Sequence, residues 1–141
     1  MNHSEFDLQS MKEHAKSACA HAHAPYSRFY VGSAVMDRNG NVHTGCNVEN
    51  ASYGLTLCAE RNAISSAVAA GMKAAELEAV VIYTPGRKPA SPCGACRQVM
   101  QEFMHPHTRV YSCCDTENTL EWTVVQLLPA PFQLEPSKHR S

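Results

Sequence analysis

The sequence predicts an α/β fold, a three-layer α-β-α sandwich with a mixed central sheet of about five strands. Three observations carry that expectation. Helical and extended patterns alternate along the chain in the order α-β-β-α-β-α-β-β-α. The run Leu77–Tyr83, LEAVVIY, is apolar but for Glu78, as expected of a strand covered on both faces. Asn39-Gly40 is a two-residue hairpin signal, which sets the first two strands antiparallel.

Each element follows from local chemistry. Ser4 with Asp7 three residues on resembles a loose capping box. Phe6, Leu8, Met11, Ala15 and Ala18 then make a helical stripe that ends near His21, closed by Pro25. Phe29–Met36 is rich in strand formers, and the Asn39-Gly40 turn leads into a second strand over Asn41–Glu49. After a loop with Asn50, Ser52 and Gly54, a helix runs from about Leu57 to Ala70 and stops at Gly71. Leu77–Tyr83 is the third strand. The loop Thr84–Pro92 holds three prolines and a glycine. Ser91 as N-cap and Pro92 at the first position open a helix over Cys93–Met104. Arg109–Ser112 is a fourth strand, Leu120–Thr123 a fifth, and Val124–Leu128 a short last helix before Pro129. No repeat, low-complexity tract or linker divides the chain, so residues 1–141 are expected to form a single domain.

Composition narrows the function classes. A chain of 141 residues can build one full core, and 44% hydrophobic content with 18% charged residues is that of a globular protein. A net charge of -1 offers no basic excess for a nucleic-acid backbone, so no nucleic-acid partner is expected. No apolar run approaches the ~20 residues of a membrane span. Glu5, Asp7, Lys12, Glu13 and Lys16 exclude the apolar centre of a signal peptide. A cytoplasmic location is the expectation, and in that reducing compartment seven cysteines favour metal binding or catalysis over disulfides.

Cys93-Gly94-Ala95-Cys96 is a C-x-x-C at a helix start, where residues three apart share a face and both sulfurs can converge. Alone, the motif is ambiguous between zinc and a redox pair. Cys58, at the tip of another helix, favours zinc, because two helix N-termini aimed at one place stabilise thiolate. Three protein ligands leave one coordination position open, which marks a catalytic zinc. Cys46 would point away from an extended Asn47–Glu49 face and is left out of the ligand set. Cys113-Cys114 reads as a strand-end pair, Cys19 belongs to the first helix, and His21/His23 and His105/His107 read as solvated histidines.

The segment TLCAERNA adds two more groups. Glu60, two residues beyond Cys58, points to another side and suits a base rather than a ligand. Zinc brings the pKa of a coordinated water to about 7, and a nearby carboxylate can take that proton and redeliver it. Small apolar neighbours (Ala59, Ala63, Ile64) imply that the carboxylate is buried, where it is costly without a task. Three thiolates outweigh the dication by one charge, which the Arg61 guanidinium would offset.

These residues resemble a known family. Cys-Ala-Glu at one helix start and Pro-Cys-x-x-Cys at another is the zinc-deaminase pattern. Many members of that superfamily carry His where this chain has Cys58. All-cysteine ligation resembles the small homotetrameric cytidine deaminases of free-nucleoside salvage. The likeness also covers APYSRFYVGSAV (Ala24–Val35), GCNVENASYG (Gly45–Gly54), TLCAERNAI, SPCGACRQV (Ser91–Val99) and LLPAPF (Leu127–Phe132).

The resemblance implies one Zn²⁺ per subunit and hydrolytic deamination of cytidine and 2′-deoxycytidine. It implies that Asn47 and Glu49 hold a ribose hydroxyl and that Phe29 lines the nucleoside pocket. Backbone groups near Cys58, Ala59 and Glu60 and in the 92–96 turn would hold the amino group and the base edge. Tyr53 and Phe132 would reach substrates bound to neighbouring subunits of a homotetramer. Ser33 stands where a second alanine is common, and the loop Gly86-Arg87-Lys88-Pro89-Ala90 is longer than usual. A deaminase of a modified cytosine nucleoside, blasticidin-type or N4-substituted, is the alternative, against which Asn47 and Glu49 argue for a plain ribose. A polynucleotide editor would need a basic channel, and a structural zinc module would need a fourth ligand and gives Glu60 no purpose.

Overall fold

The computed structural model describes residues 5–136. Ser4 therefore lies outside the described residues, and helix α1 (Leu8–Cys19) is capped by Asp7, whose carboxylate accepts the Gln9 amide at 3.2 Å. The elements that follow are β1 (Gly32–Asp37), β2 (Val42–Cys46), a 3-10 turn (Tyr53–Leu55), α2 (Ala59–Ala69), β3 (Leu77–Tyr83), α3 (Gly94–Phe103), β4 (Met104–Cys113), β5 (Leu120–Thr123) and α4 (Val124–Leu127). The sheet order is β2-β1-β3-β4-β5. Only the β3–β4 pair, joined through α3, is parallel, so the sheet is mixed as the sequence predicts.

Alternation along the central strands sorts the core into two layers. Val35, Val80, Ile82 and Val110 meet Ala63, Ile64 and Ala67 of α2 and Cys96 and Met100 of α3. Ala34, Met36, Val81 and Tyr83 meet Met11, Ala15 and Cys19 of α1 on the other face. Burial on both faces is why β1 and β3 read as near-continuous apolar runs. The edge strands β2 and β5 are only partly covered.

Element boundaries differ from the sequence expectation where side chains replace the ladder. The first strand starts at Gly32 rather than Phe29, because the Asn47 side chain accepts the Val31 amide at 2.9 Å and donates to the Phe29 carbonyl at 2.7 Å. The second strand ends at Cys46 rather than Glu49, because Val48 and Leu57 exchange backbone hydrogen bonds of 2.9 Å. That bridge holds Leu57 extended, so α2 starts at Ala59 with Cys58 as its cap. Cys93, extended at φ -70 and ψ 166, caps α3 in place of Ser91, and its carbonyl takes the first helical bond from the Arg97 amide at 3.0 Å. β4 starts at Met104 rather than Arg109, directly after α3. Thr123 and Gln126 form a reciprocal capping box on α4 that the sequence reading passed over.

Gly45 fixes how closely β2 approaches α2. A Cβ there would lie 2.5 Å from the Ala63 amide nitrogen and 2.7 Å from the Ala59 carbonyl oxygen, backbone atoms that cannot step aside. Gly45→Ala should therefore lower stability by at least about 2 kcal/mol, the scale of overpacking, as read by urea denaturation. Gly54→Ala, where a Cβ meets nothing within 4 Å, should change it by less than about 0.5 kcal/mol.

Candidate active site

The N-termini of α2 and α3 deliver three sulfurs to one point. Cys58 and Cys93 are the cap residues, and neither side chain bonds its own helix, so both sulfurs are free to face each other at 3.7 Å. Cys96 stands three residues after Cys93 on the same face and is fully buried. The three Sγ atoms lie within 4.8 Å of one another. A tetrahedral zinc–thiolate centre with bonds of about 2.3 Å has S···S edges of about 3.8 Å. The thiol donor set and the Cys58–Cys93 spacing therefore fit zinc. Cys46 is not in this cluster.

Electrostatics at the tip follow from the same crowding. Hydrogen bonding with Cys96, and further bonds from Arg61 and Cys93, bring the Cys58 thiol down to about 5 against the opposing effect of burial. Hydrogen bonding with Cys58 comes first, and burial second, in pushing the Cys96 thiol far up. Arg61 Nη2 donates to Cys58 Sγ at 3.3 Å, and that bond raises the guanidinium above its ordinary range. Its Nε is buried without a hydrogen-bond partner. Glu60, 5% exposed, is pushed up to about 7, first by burial and then by the charge on Cys58.

A cavity of about 230 Å³ opens beside the sulfurs. Its lining includes Cys58, Ala59, Glu60 and Cys93 from the two helix tips and Phe29, Val31, Asn47, Glu49 and Thr56 from the segments around β1 and β2. Ile82, Thr84, Ala90 and Ser91, from β3 and the loop after it, complete the lining. The structure thus brings together Phe29, Asn47, Glu49, Cys58, Ala59, Glu60 and Cys93 in one lining. Tyr53, 75% exposed, sits in an adjoining hollow with Tyr26, Ser27, Glu49 and Thr56. Phe132, 72% exposed, lines neither space, and its carbonyl accepts Gln98 Nε2 at 3.0 Å.

Several groups without a local motif hold these residues in place. Glu49 Oε1 accepts the Tyr26 and Ser27 amides at 3.0 and 3.1 Å, and Oε2 accepts the Ser27 hydroxyl. The Ser27 hydroxyl bond comes first in holding the Glu49 carboxyl below its usual range. Arg28, at φ 58, turns the chain between Ser27 and Phe29. Asn62 Nδ2 donates to the Cys46 carbonyl at 2.8 Å and ties α2 to the strand before Asn47. Arg97 bridges the Pro92 carbonyl at 2.8 Å and the Leu127 carbonyl at 3.1 Å. Ser27, Arg28, Asn62 and Arg97 all lie within segments that carry the family resemblance, but nothing in the sequence gave any of them this supporting task.

Three sulfurs at an open position, with a buried carboxylate beside them, are the parts of a metal-dependent hydrolase. Residues 5–113 match the family described as the cytidine and deoxycytidylate deaminase zinc-binding region, and the chain belongs to that family. It is 43% identical to a cytidine deaminase of Halalkalibacterium halodurans over 92% of this chain and 96% of that protein. It is 42% identical to that of Sporosarcina psychrophila over 92% and 93%. Its backbone superposes on the crystal structure of cytidine deaminase from Burkholderia pseudomallei with a TM-score of 0.86 at 43% identity, covering 90% and 100% of the two chains.

Cys96→Ala should reduce zinc from near one per chain to near zero by metal analysis of the purified protein, and Cys46→Ala should leave it unchanged.

Proposed function

We propose that the protein hydrolyses the exocyclic C–N bond of cytidine and 2′-deoxycytidine, giving the uridine products and ammonia. The observation that carries the reading is a carboxylate with its pKa near 7, buried beside three converging sulfurs and sharing a cavity with Asn47 and Glu49. Zinc held by Cys58, Cys93 and Cys96 supplies, when bound, a Lewis acid that makes water nucleophilic at neutral pH. Glu60 takes a proton from the attacking water and gives it to ring N3, which makes C4 more electrophilic. Once the C4–O bond has formed, Glu60 takes the second proton of the former water from the C4 hydroxyl and gives it to the exocyclic nitrogen, so that the C4–N bond breaks, the C4 carbonyl forms and ammonia leaves. Arg61 balances the excess charge on the sulfurs. Asn47 and Glu49, already fixed by Phe29, Val31, Tyr26 and Ser27, hold the ribose hydroxyl without having to be ordered by substrate.

The neighbouring-subunit roles of Tyr53 and Phe132 belong to the same reading. Both are large, exposed and outside the single-chain cavity, and Tyr26, Phe29, Leu55 and Leu57 add exposed apolar surface in adjacent segments. A homotetramer would cover them and close the cavity with residues from another copy. Seven free thiols fit a reducing, cytoplasmic setting and a place in nucleoside salvage.

Glu60→Gln should keep zinc and lose at least ~10²-fold in kcat on cytidine, the scale of a lost general base, in an ultraviolet deamination assay. Near-normal turnover would remove Glu60 from that role, and no turnover of either nucleoside by the zinc-loaded parent would overturn the reading. Sedimentation equilibrium should return four chains of 15.5 kDa. A monomer that deaminates at full rate would remove the roles given to Tyr53 and Phe132.

A further inference from the structure

The loop from Thr84 to Pro92 brings Ala90 and Ser91 to the cavity wall and ends at the ligand Cys93. It has no strand or helix of its own. Its conformation is set instead by the end of β4 and the turn that follows. Asp115 grips Gly86 on both sides: the Gly86 amide donates to Oδ2 at 2.8 Å, and the Asp115 amide donates to the Gly86 carbonyl at 2.9 Å. Oδ1 of the same carboxylate accepts the Tyr83 hydroxyl. Gly86 can accept this grip because its φ is +109. Further along, Thr116 Oγ1 and Asn118 Nδ2 donate to the Arg87 carbonyl at 3.3 and 3.4 Å, and the buried Ser112 hydroxyl donates to the Ala90 carbonyl.

The loop is therefore tied at Gly86, Arg87 and Ala90, leaving Arg87 and Lys88 exposed on an arch between the ties. Two groups of lining residues differ in chemistry. Glu49 and Thr56, with Asn47, are polar, and the first two also line the adjoining hollow; Ala90 and Ser91 lead directly into Cys93, one of the three converging sulfurs. Bond cleavage at the sulfurs puts the exocyclic amino group of the base beside the second group, which makes it the amino-group end of the cavity. We propose that Asp115 is a positioning residue for specificity. It holds the Ala90–Ser91 wall against the amino-group end of the cavity and so limits the size of substituents accepted on that nitrogen. The inference rests on the cytidine deaminase reading above.

The test compares zinc-loaded parent, Asp115→Ala, Asp115→Asn and Tyr83→Phe on cytidine, 2′-deoxycytidine and N4-methylcytidine. A loosened wall should raise the ratio of kcat/KM for N4-methylcytidine to that for cytidine by about five- to tenfold in Asp115→Ala, within the ~10²-fold that a 1 Å displacement at a reacting centre can cause. The ratio for 2′-deoxycytidine to cytidine, read at the other end, should stay within about twofold. Zinc content should not change. Asn at 115 can still accept the Gly86 amide and bond the Tyr83 hydroxyl through its amide, so it should restore the parent ratio. Tyr83→Phe, which removes one bond and keeps the Gly86 grip, should shift the ratio in the same direction by less.

An unchanged N4-methyl ratio in Asp115→Ala, or a parallel change at both ends of the substrate, overturns the inference. So does Asp115→Asn behaving like the alanine variant. If Asp115→Ala does not fold, Tyr83→Phe decides, and an unchanged ratio there overturns the inference. A parent without activity on cytidine would instead overturn the underlying reading.

Discussion

The molecule is organised around the cost of holding three thiols within 4.8 Å. Two unit charges 4 Å apart repel by about 4 kcal/mol at an effective dielectric of 20. A helix N-terminus returns about 0.3–1 kcal/mol, and at most about 2. Two helix ends and one guanidinium therefore cannot sustain three thiolates unaided. A dication offsets that repulsion and lets the thiols give up their protons. Everything that aims the two helices serves that convergence: the Val48–Leu57 bridge, the contact at Gly45 and the Arg97 link to the end of α4.

One turn of α2 distributes the chemistry. Arg61 lies three residues from Cys58 and so returns to the same side, where it donates to the sulfur. Glu60 falls on another side, nearly sealed from water yet still in the cavity lining. The small residues Ala59, Ala63 and Ala67 let the helix lie close to the sheet, which buries the carboxylate and raises its pKa toward neutrality. A bulkier helix would hold Glu60 further out and leave it an ordinary acid.

Much of this was legible in the sequence because it is local. Helix-start spacing alone relates Cys93 to Cys96, charge balance points to Arg61, and the apolar run Leu77–Tyr83 announces a strand covered on both faces. What the sequence did not reveal depends on side chains that bond backbone far away in the chain. The resemblance gives Asn47 a task toward substrate, but nothing in the sequence shows its amide replacing two rungs of the ladder at Phe29 and Val31. Ser27 and Asp115 act on Glu49 and Gly86 across 22 and 29 residues, and no short motif encodes such pairs. Ser91 looked like the better cap by propensity. Cys93 took the position because the turn must present its sulfur toward Cys58.

Helix α3 passes straight into β4, with Phe103 the last helical residue and Met104 already paired to Leu77. The stretch from Cys93 to Met104 thus has no slack, and it works as a ruler with a phase as well as a length. One residue added or lost within it would turn the Cys93–Cys96 face by about 100° relative to the sheet. The tolerance lies just beyond, where two steps on β3 are matched by five on β4 between Met104 and Arg109. The fold can therefore absorb a change of length after the ruler, while its own residue count is bound to the position of the metal.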